Sequence, residues 1–139
     1  MEITAAPTDE PTLPPPVDPC TLITQDEANL LAGEQLQPGV SAGHPVDSCE
    51  WDAPPTASVA QLRIDIGDGA KKQYDIDHDT LNHAFTTVPG LGDEAYAEDD
   101  AIFFRRGVTW VAIHLVLLND PAQNAAALVS LAKTVAGRI

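Results

Sequence analysis

"AIFFRRGVTWVAIHLVLL", residues 101–118, reads as a β-hairpin that turns at Arg106-Gly107. Its second arm, 108–118, is apolar on both faces, as a strand in the middle of a sheet must be. Upstream, "SVAQLRIDIGDG" (58–69) alternates. Ala60, Leu62, Ile64 and Ile66 point one way, and Gln61, Arg63 and Asp65 the other. Period two with a polar face marks an antiparallel strand covered on one side. "SCEWD" (48–52) is a further short strand ahead of Pro54-Pro55. "VPGLGDEAYA" (88–97) is a tight turn, requiring Gly90 or Gly92 at positive φ, followed by another strand.

Helices frame these strands. In "TQDE" (24–27) Thr24 and Glu27 form a capping box, and Ala28, Leu31 and Ala32 supply an apolar stripe up to Gly33. This predicts a short helix over 25–32, then a Gly-, Pro- and Ser-rich loop over 33–47. "AKKQYDIDHDTLNHAFT" (70–86) has helical period, with Tyr74, His78, Leu81 and Phe85 on one face. Asp75, Asp77 and Asp79 disfavour one continuous helix, so a break with a second start near Asp79 is expected. Asp120 and Pro121 open a last helix whose stripe is Ala125, Leu128, Leu131, Ala132 and Val135. The expected fold is α+β: a single, mainly antiparallel sheet with helices packed on one face, in the order α-β-β-α-β-β-β-α.

The chain has 139 residues, of which residues 20–139 are read as a single globular domain. Residues 1–19 contain six prolines and few large apolar groups, and are expected to form a disordered stalk. In polyproline II geometry that stalk would reach about 50 Å. Seven Lys and Arg against 21 Asp and Glu give a net charge of −14, which argues against nucleic-acid binding. No apolar run approaches the ~20 residues that cross a bilayer.

Cys20 and Cys49 are the two cysteines. Cys20 lies upstream of its helix cap, with no cation beside it to stabilise a thiolate. Cys49 sits between Ser48 and Glu50, and neither cysteine belongs to a CxxC zinc pair. A Cys20–Cys49 disulfide remains. It would close a loop worth about 3.6 kcal/mol in chain entropy, with Trp51 covering it, and it implies an oxidising compartment.

Together, the Pro-rich lead, "PCTLIT" (19–24), "CEW" (49–51) and "GLGDEA" (90–95) resemble a family of actinobacterial exported lipoproteins of unknown function. Their mature domains share a PC-x-L-[LI]-T start, a later C-x-W and a GLGDEA turn. The resemblance runs from Asp18 to the C-terminus. It implies an extracytoplasmic, envelope-anchored protein, held by a lipid on a cysteine upstream of the stalk that is not in this chain. It brings no catalytic residues.

"DIDHD" (75–79) is the one run with ligand chemistry. As an EF-hand it fails, because Thr80 and Thr86 stand where Gly and Glu are needed. An irregular Ca²⁺ or Zn²⁺ site from Asp75, Asp77, His78, Asp79 and His83 is the weaker alternative to a solvated acidic face. His78 and His83 are five apart, the wrong spacing for a zinc helix. His114 reads as a satisfied interior histidine. There is no GxSxG elbow and no Walker spacing. The expectation is a monomeric, non-enzymatic, cell-surface binding module without a cofactor, whose ligand is a protein, an envelope glycan or a small molecule. The alternatives are a metal-binding protein or metal-dependent hydrolase, and an accessory subunit of an envelope complex.

Overall fold

The structure, a computed structural model, describes residues 18–42, 47–55, 60–82, 84–98, 100–117 and 121–139. Residues 1–17, His44, His83 and Asp120 lie outside them. A 3-10 turn, Pro19–Thr21, leads into α1 (Gln25–Ala32), β1 (Val40–Ala42), β2 (Ser48–Asp52) and β3 (Gln61–Ile66). Then come α2 (Asp68–Asp75) and a π turn (Ile76–Thr80). β4 (Thr86–Thr87), β5 (Glu94–Glu98), β6 (Ala101–Arg106) and β7 (Thr109–Val116) follow. A second 3-10 turn, Pro121–Asn124, runs into α3 (Ala125–Ala136).

All seven strands form one antiparallel sheet, ordered β1-β2-β3-β7-β6-β5-β4. The sheet is two meanders joined where β3 meets β7, with Ile64 opposite Ile113 and Leu62 opposite Leu115. β7 is the middle strand, as its two apolar faces required.

One face carries the main core. Cys49, Trp51, Leu62, Ile64, Ala95, Ile102, Phe104, Val111, Ile113 and Leu115 meet Ala28 of α1 and Leu128, Leu131, Ala132 and Val135 of α3. The opposite face carries a smaller cluster: Ala101, Phe103 and Ala112 on the strands under Ala70 of α2, with Tyr74, Phe85 and Trp110 packed beside them. Helices therefore cover both faces, which corrects the one-face expectation. The reason is in β6, where Ala101, Ile102, Phe103 and Phe104 are all fully buried. Four consecutive apolar residues in a strand demand cover on both sides, and Ala70, Ala101 and Ala112 are small enough to let α2 approach.

The element order also gains two short edge strands. β1 lies in what reads as loop, because alternation over three residues is too short to register. Its pairing with β2 sets Ser41 opposite Cys49. The preceding loop is not loose: Leu36 is buried, its amide donates to Asn29 Oδ1 at 2.8 Å, and Gln25 Nε2 donates to its carbonyl at 2.9 Å. The expected helix over 70–86 ends at Asp75 and runs out through the π turn. It makes no second start at Asp79, and Thr86-Thr87 pair instead with Ala97 and Tyr96 as β4. Asp18 and Pro19, read as stalk, already belong to the fold: the Asp18 side chain accepts from the Cys20 amide and Pro19 is buried. Pro121 opens a 3-10 turn rather than α3 itself.

Helix α1 forms as its capping box dictates. Glu27 N–H donates to Thr24 Oγ1 at 3.1 Å, and Thr24 N–H donates to Glu27 Oε1 at 2.9 Å. The same Glu27 takes a two-pronged contact from Arg138, just beyond α3, at 2.7 and 2.8 Å, and Arg138 also donates to the Leu22 carbonyl at 2.7 Å. One carboxylate thus caps α1 and ties it to the end of α3.

Cys20 and Cys49 are bonded, with S–S 2.02 Å and Cα atoms 5.1 Å apart. Cys49 is fully buried beside Trp51. A Cβ on Gly39 would lie 2.7 Å from Cys49 Sγ and 2.8 Å from Trp51 Cε2, so only glycine lets the chain cross the bridge here. The Ser41 hydroxyl lies 3.4 Å from Cys20 Sγ and is the donor, since a bridged sulfur carries no hydrogen.

Replacing both cysteines with Ser is expected to lower stability by about 2–4 kcal/mol. Chemical denaturation measures this, and the 33–47 loop should become protease-sensitive. An unchanged midpoint would contradict it. Gly39→Ala should cost about 1–3 kcal/mol by overpacking. The contact with Arg138, foremost, holds the Glu27 carboxyl down at about 2. Its stabilising contribution is then full above the ordinary carboxylate range and fades as pH falls towards that value. Glu27→Gln should remove that part of the acid transition in a pH melt.

Candidate functional site

Three regions carry chemistry. The first is the "DIDHD" run. Asp75 accepts from Lys71 Nζ at 2.7 and 2.8 Å, an i,i+4 pair on α2. His78 Nδ1 lies 2.8 Å from Asp79 Oδ1, and its ring stacks on Tyr74 and Phe85 at 5.5 and 5.7 Å. His83 is outside the described residues. Among the described residues no three His, Cys, Asp or Glu side chains gather into a group able to hold a metal ion. His78 supplies one end of an aromatic block.

That block is centred on Tyr74, which meets the rings of Tyr96, Trp110, Phe85, Phe103 and His78 at 5.1 to 5.7 Å. Lys71 Nζ sits 5.6 Å from the Trp110 ring centroid, a cation–π contact. The helical period of Tyr74 and His78 foretold a shared face. Phe85 joins it from the coil before β4, not from a helix.

The second region is the polar face of β2, β3 and β7 beyond α2. Alternation in "CEWD" turns Glu50 and Asp52 away from the bridge. Gln61 Nε2 donates to both, at 3.0 Å each. Arg63 is clamped by Asp65, with Nε at 3.2 Å from each carboxylate oxygen and Nη2 at 3.0 Å from Oδ1, while its other nitrogen stands 3.9 Å from Glu50. Burial first, then the Asp52 carboxyl beside it, push the Glu50 carboxyl above its ordinary range. Asp65, expected on a solvent face, is buried under this clamp. Glu50 and Asp52 were not candidates in the sequence, although the period of "SCEWD" already puts them together.

His114 belongs to this face. It pairs across the sheet with Arg63 and Ala101, and meets the Phe103 ring edge-on at 5.5 Å. Its Nδ1 is buried and has no hydrogen-bond partner among the described residues. A satisfied interior histidine was expected; among the described residues Nδ1 has no partner, since across the strands stand Ala101 and an arginine already held by Asp65. Burial pushes its pKa down.

The third region is a groove of about 280 Å³ between α1 and α3, walled by Leu30, Leu31, Ala127 and Leu131 with Glu27, Ser130 and Thr134 at its edge. Leu30 is 84% exposed. It stands off the stripe of Ala28, Leu31 and Ala32, and the sequence alone marks it only as a leucine with no place on that stripe.

The "GLGDEA" turn has a structural task. A Cβ on Gly92 would lie 2.4 Å from the Arg105 carbonyl oxygen, and Gly92 has φ 59°. Asp93 accepts from the Gly107 amide at 2.6 Å and its own amide donates to the Arg105 carbonyl at 2.7 Å. Glu94 accepts from Arg105 Nε at 2.7 Å and from the Tyr96 hydroxyl at 2.6 Å. The motif braces the β6–β7 hairpin.

No family model and no curated protein sequence matches the chain.

Asp52→Asn should bring the Glu50 titration down towards the ordinary carboxylate range, read by carboxyl ¹³C chemical shift against pH. An unmoved Glu50 would mean that burial alone raises it.

Proposed function

We propose that this chain is a non-enzymatic binding module held at the cell surface, and that its contact is the α1–α3 groove. The observation that carries the reading is Leu30, a large apolar side chain left exposed on the wall of an apolar groove. A lone surface leucine means little; one flanking a ready cavity is a contact in waiting. The groove is open and at the small end of ligand sites, which span roughly 300–1,000 Å³. It suits one or two apolar side chains of a protein partner better than an enclosed small molecule or a glycan.

The charge around it specifies that partner further. Asp26 is exposed, four residues before Leu30 and so on the same face of α1. Glu27 at the edge is already engaged by Arg138. With a net charge of −14 behind it, the groove favours an apolar side chain flanked by Lys or Arg. The extracytoplasmic setting is supported by the Cys20–Cys49 disulfide, since such bonds persist in oxidising compartments. Membership of the actinobacterial lipoprotein family, anchorage through an upstream lipid and display on the Pro-rich segment rest on the sequence resemblance. An accessory subunit of an envelope complex is the same reading with a permanent partner.

Affinity capture from envelope extracts tests this with three proteins compared quantitatively. The native protein should retain one dominant partner, and Leu30→Asp should lose most of it. Val108→Asp, at an equally exposed apolar position in the β6–β7 turn, should keep it. Equal capture by native protein and Leu30→Asp, or equal loss in both variants, would remove the groove from consideration. Capture of glycan instead of protein would redirect the ligand class.

A further inference from the structure

His114 is a half-buried base in the middle of the central strand, and its buried Nδ1 has no hydrogen-bond partner among the described residues. The groups facing it come from every element around it. β3 offers Asp65 and Arg63, already clamped to each other. The turn before β6 offers Asp100, and the π turn after α2 offers Asp77. β6 itself presents Ala101 and Phe103, which titrate nothing. On α2, Lys71 is taken by Asp75 and lies over Trp110.

Protonating the ring would add a charge and a second N–H donor, with no acceptor in reach of Nδ1 among the described residues. A buried, unpaired charge is costly, and the structure must yield somewhere to hydrate it or bring up a carboxylate. β3 and β6 flank β7 in full ladders and cannot move without breaking them. The α2–π segment is held differently. It rests on Ala70 and the partly buried rings of Tyr74, Phe85 and Trp110 around Phe103, the same ring His114 touches. Beyond Ala70 no residue of that segment is fully buried, and it ends near Asn82 in a left-handed conformation, φ 55°. It has one fully buried residue, Ala70, and it carries Asp77.

We propose that His114 is an acid-sensitive latch: when its ring takes a proton, the α2–π cover over residues 68–80 loosens from the sheet and exposes the Tyr74–Phe103–Trp110 block. Burial lowers the pKa of the ring in the closed state below that of an exposed histidine, about 6.5. The closed state therefore binds fewer protons than the open one. Its advantage is full at neutral pH, shrinks as pH falls below about 6.5, and levels off beneath the closed-state pKa.

Hydrogen exchange read by mass spectrometry, corrected for intrinsic rates, tests this at about pH 7.5 and about pH 5. Protection of residues 68–80 should fall in the native protein, by roughly tenfold for each unit separating the two pKa values. Residues 61–66 and 109–116 should keep theirs. His114→Leu, close in volume and unable to titrate, should abolish the fall, and His78→Gln should preserve it. A fall that survives His114→Leu, or that disappears with His78→Gln, overturns the proposal. If His114→Leu does not fold, NMR titration of the His114 Cε1–H in the native protein decides. A midpoint below that of an exposed histidine and coincident with the loss of protection supports the latch. A midpoint at or above 6.5, or one separate from that loss, overturns it.

Discussion

The pairing of β3 with β7 is the contact on which the rest of the molecule depends. It joins residues 61–66 to residues 111–116, across nearly fifty residues of chain. Neither meander can bury both faces of its innermost strand alone. Once Ile64 faces Ile113 and Leu62 faces Leu115, a continuous apolar surface exists for α1 and α3 to cover. Such a non-local pairing has a high loop-closure cost, and the tight β6–β7 hairpin lowers it by presenting β7 already braced. The turn at Gly92 and Asp93, locked onto Arg105 and Gly107, keeps that hairpin in register.

The main core is secured at its outer end by two cross-links of different chemistry. The disulfide ties the approach to α1 to the second strand, with Gly39 and Trp51 pressed over it. Arg138 ties the far end of α3 to the cap of α1 through Glu27 and to the Leu22 carbonyl. Between these two ties the helices are held side by side, and the groove lies between them with Leu30 covered by none of the described residues.

The second face follows another rule. Its apolar part is small and ring-rich, and its polar part is a chain of shared carboxylates: Glu50 and Asp52 on Gln61, Asp65 on Arg63. Glu50 and Asp52 are served by Gln61 one strand away, and Asp65 by Arg63 on its own strand. His114 is the exception, since its Nδ1 meets no partner among the described residues. A buried polar atom with no partner there is a place where the fold gives up stability.

Much of this was legible in the residues. The capping box at Thr24 and Glu27, the strand at 48–52, the alternation at 61–66, the hairpin around Gly107 and the pairing of two cysteines are all local patterns or a choice with few competitors. Local geometry dictates them, so the sequence by itself determined them. What it did not determine is what lies against what. The four apolar residues that open β6 called for cover on both faces, but only the packed structure shows that α2 takes the second one, because a helix's side of the sheet depends on the turn at Gly67 and on fit to Ala101 and Ala112. β1 and β4 are strands only by virtue of the partners they meet, being too short to carry a period of their own. The groove, the Gln61 contact that bridges Glu50 and Asp52, and the unpartnered Nδ1 of His114 arise between segments brought together by the sheet and its helices. A side chain's satisfaction is a property of its neighbours in space, and those are set by tertiary packing alone.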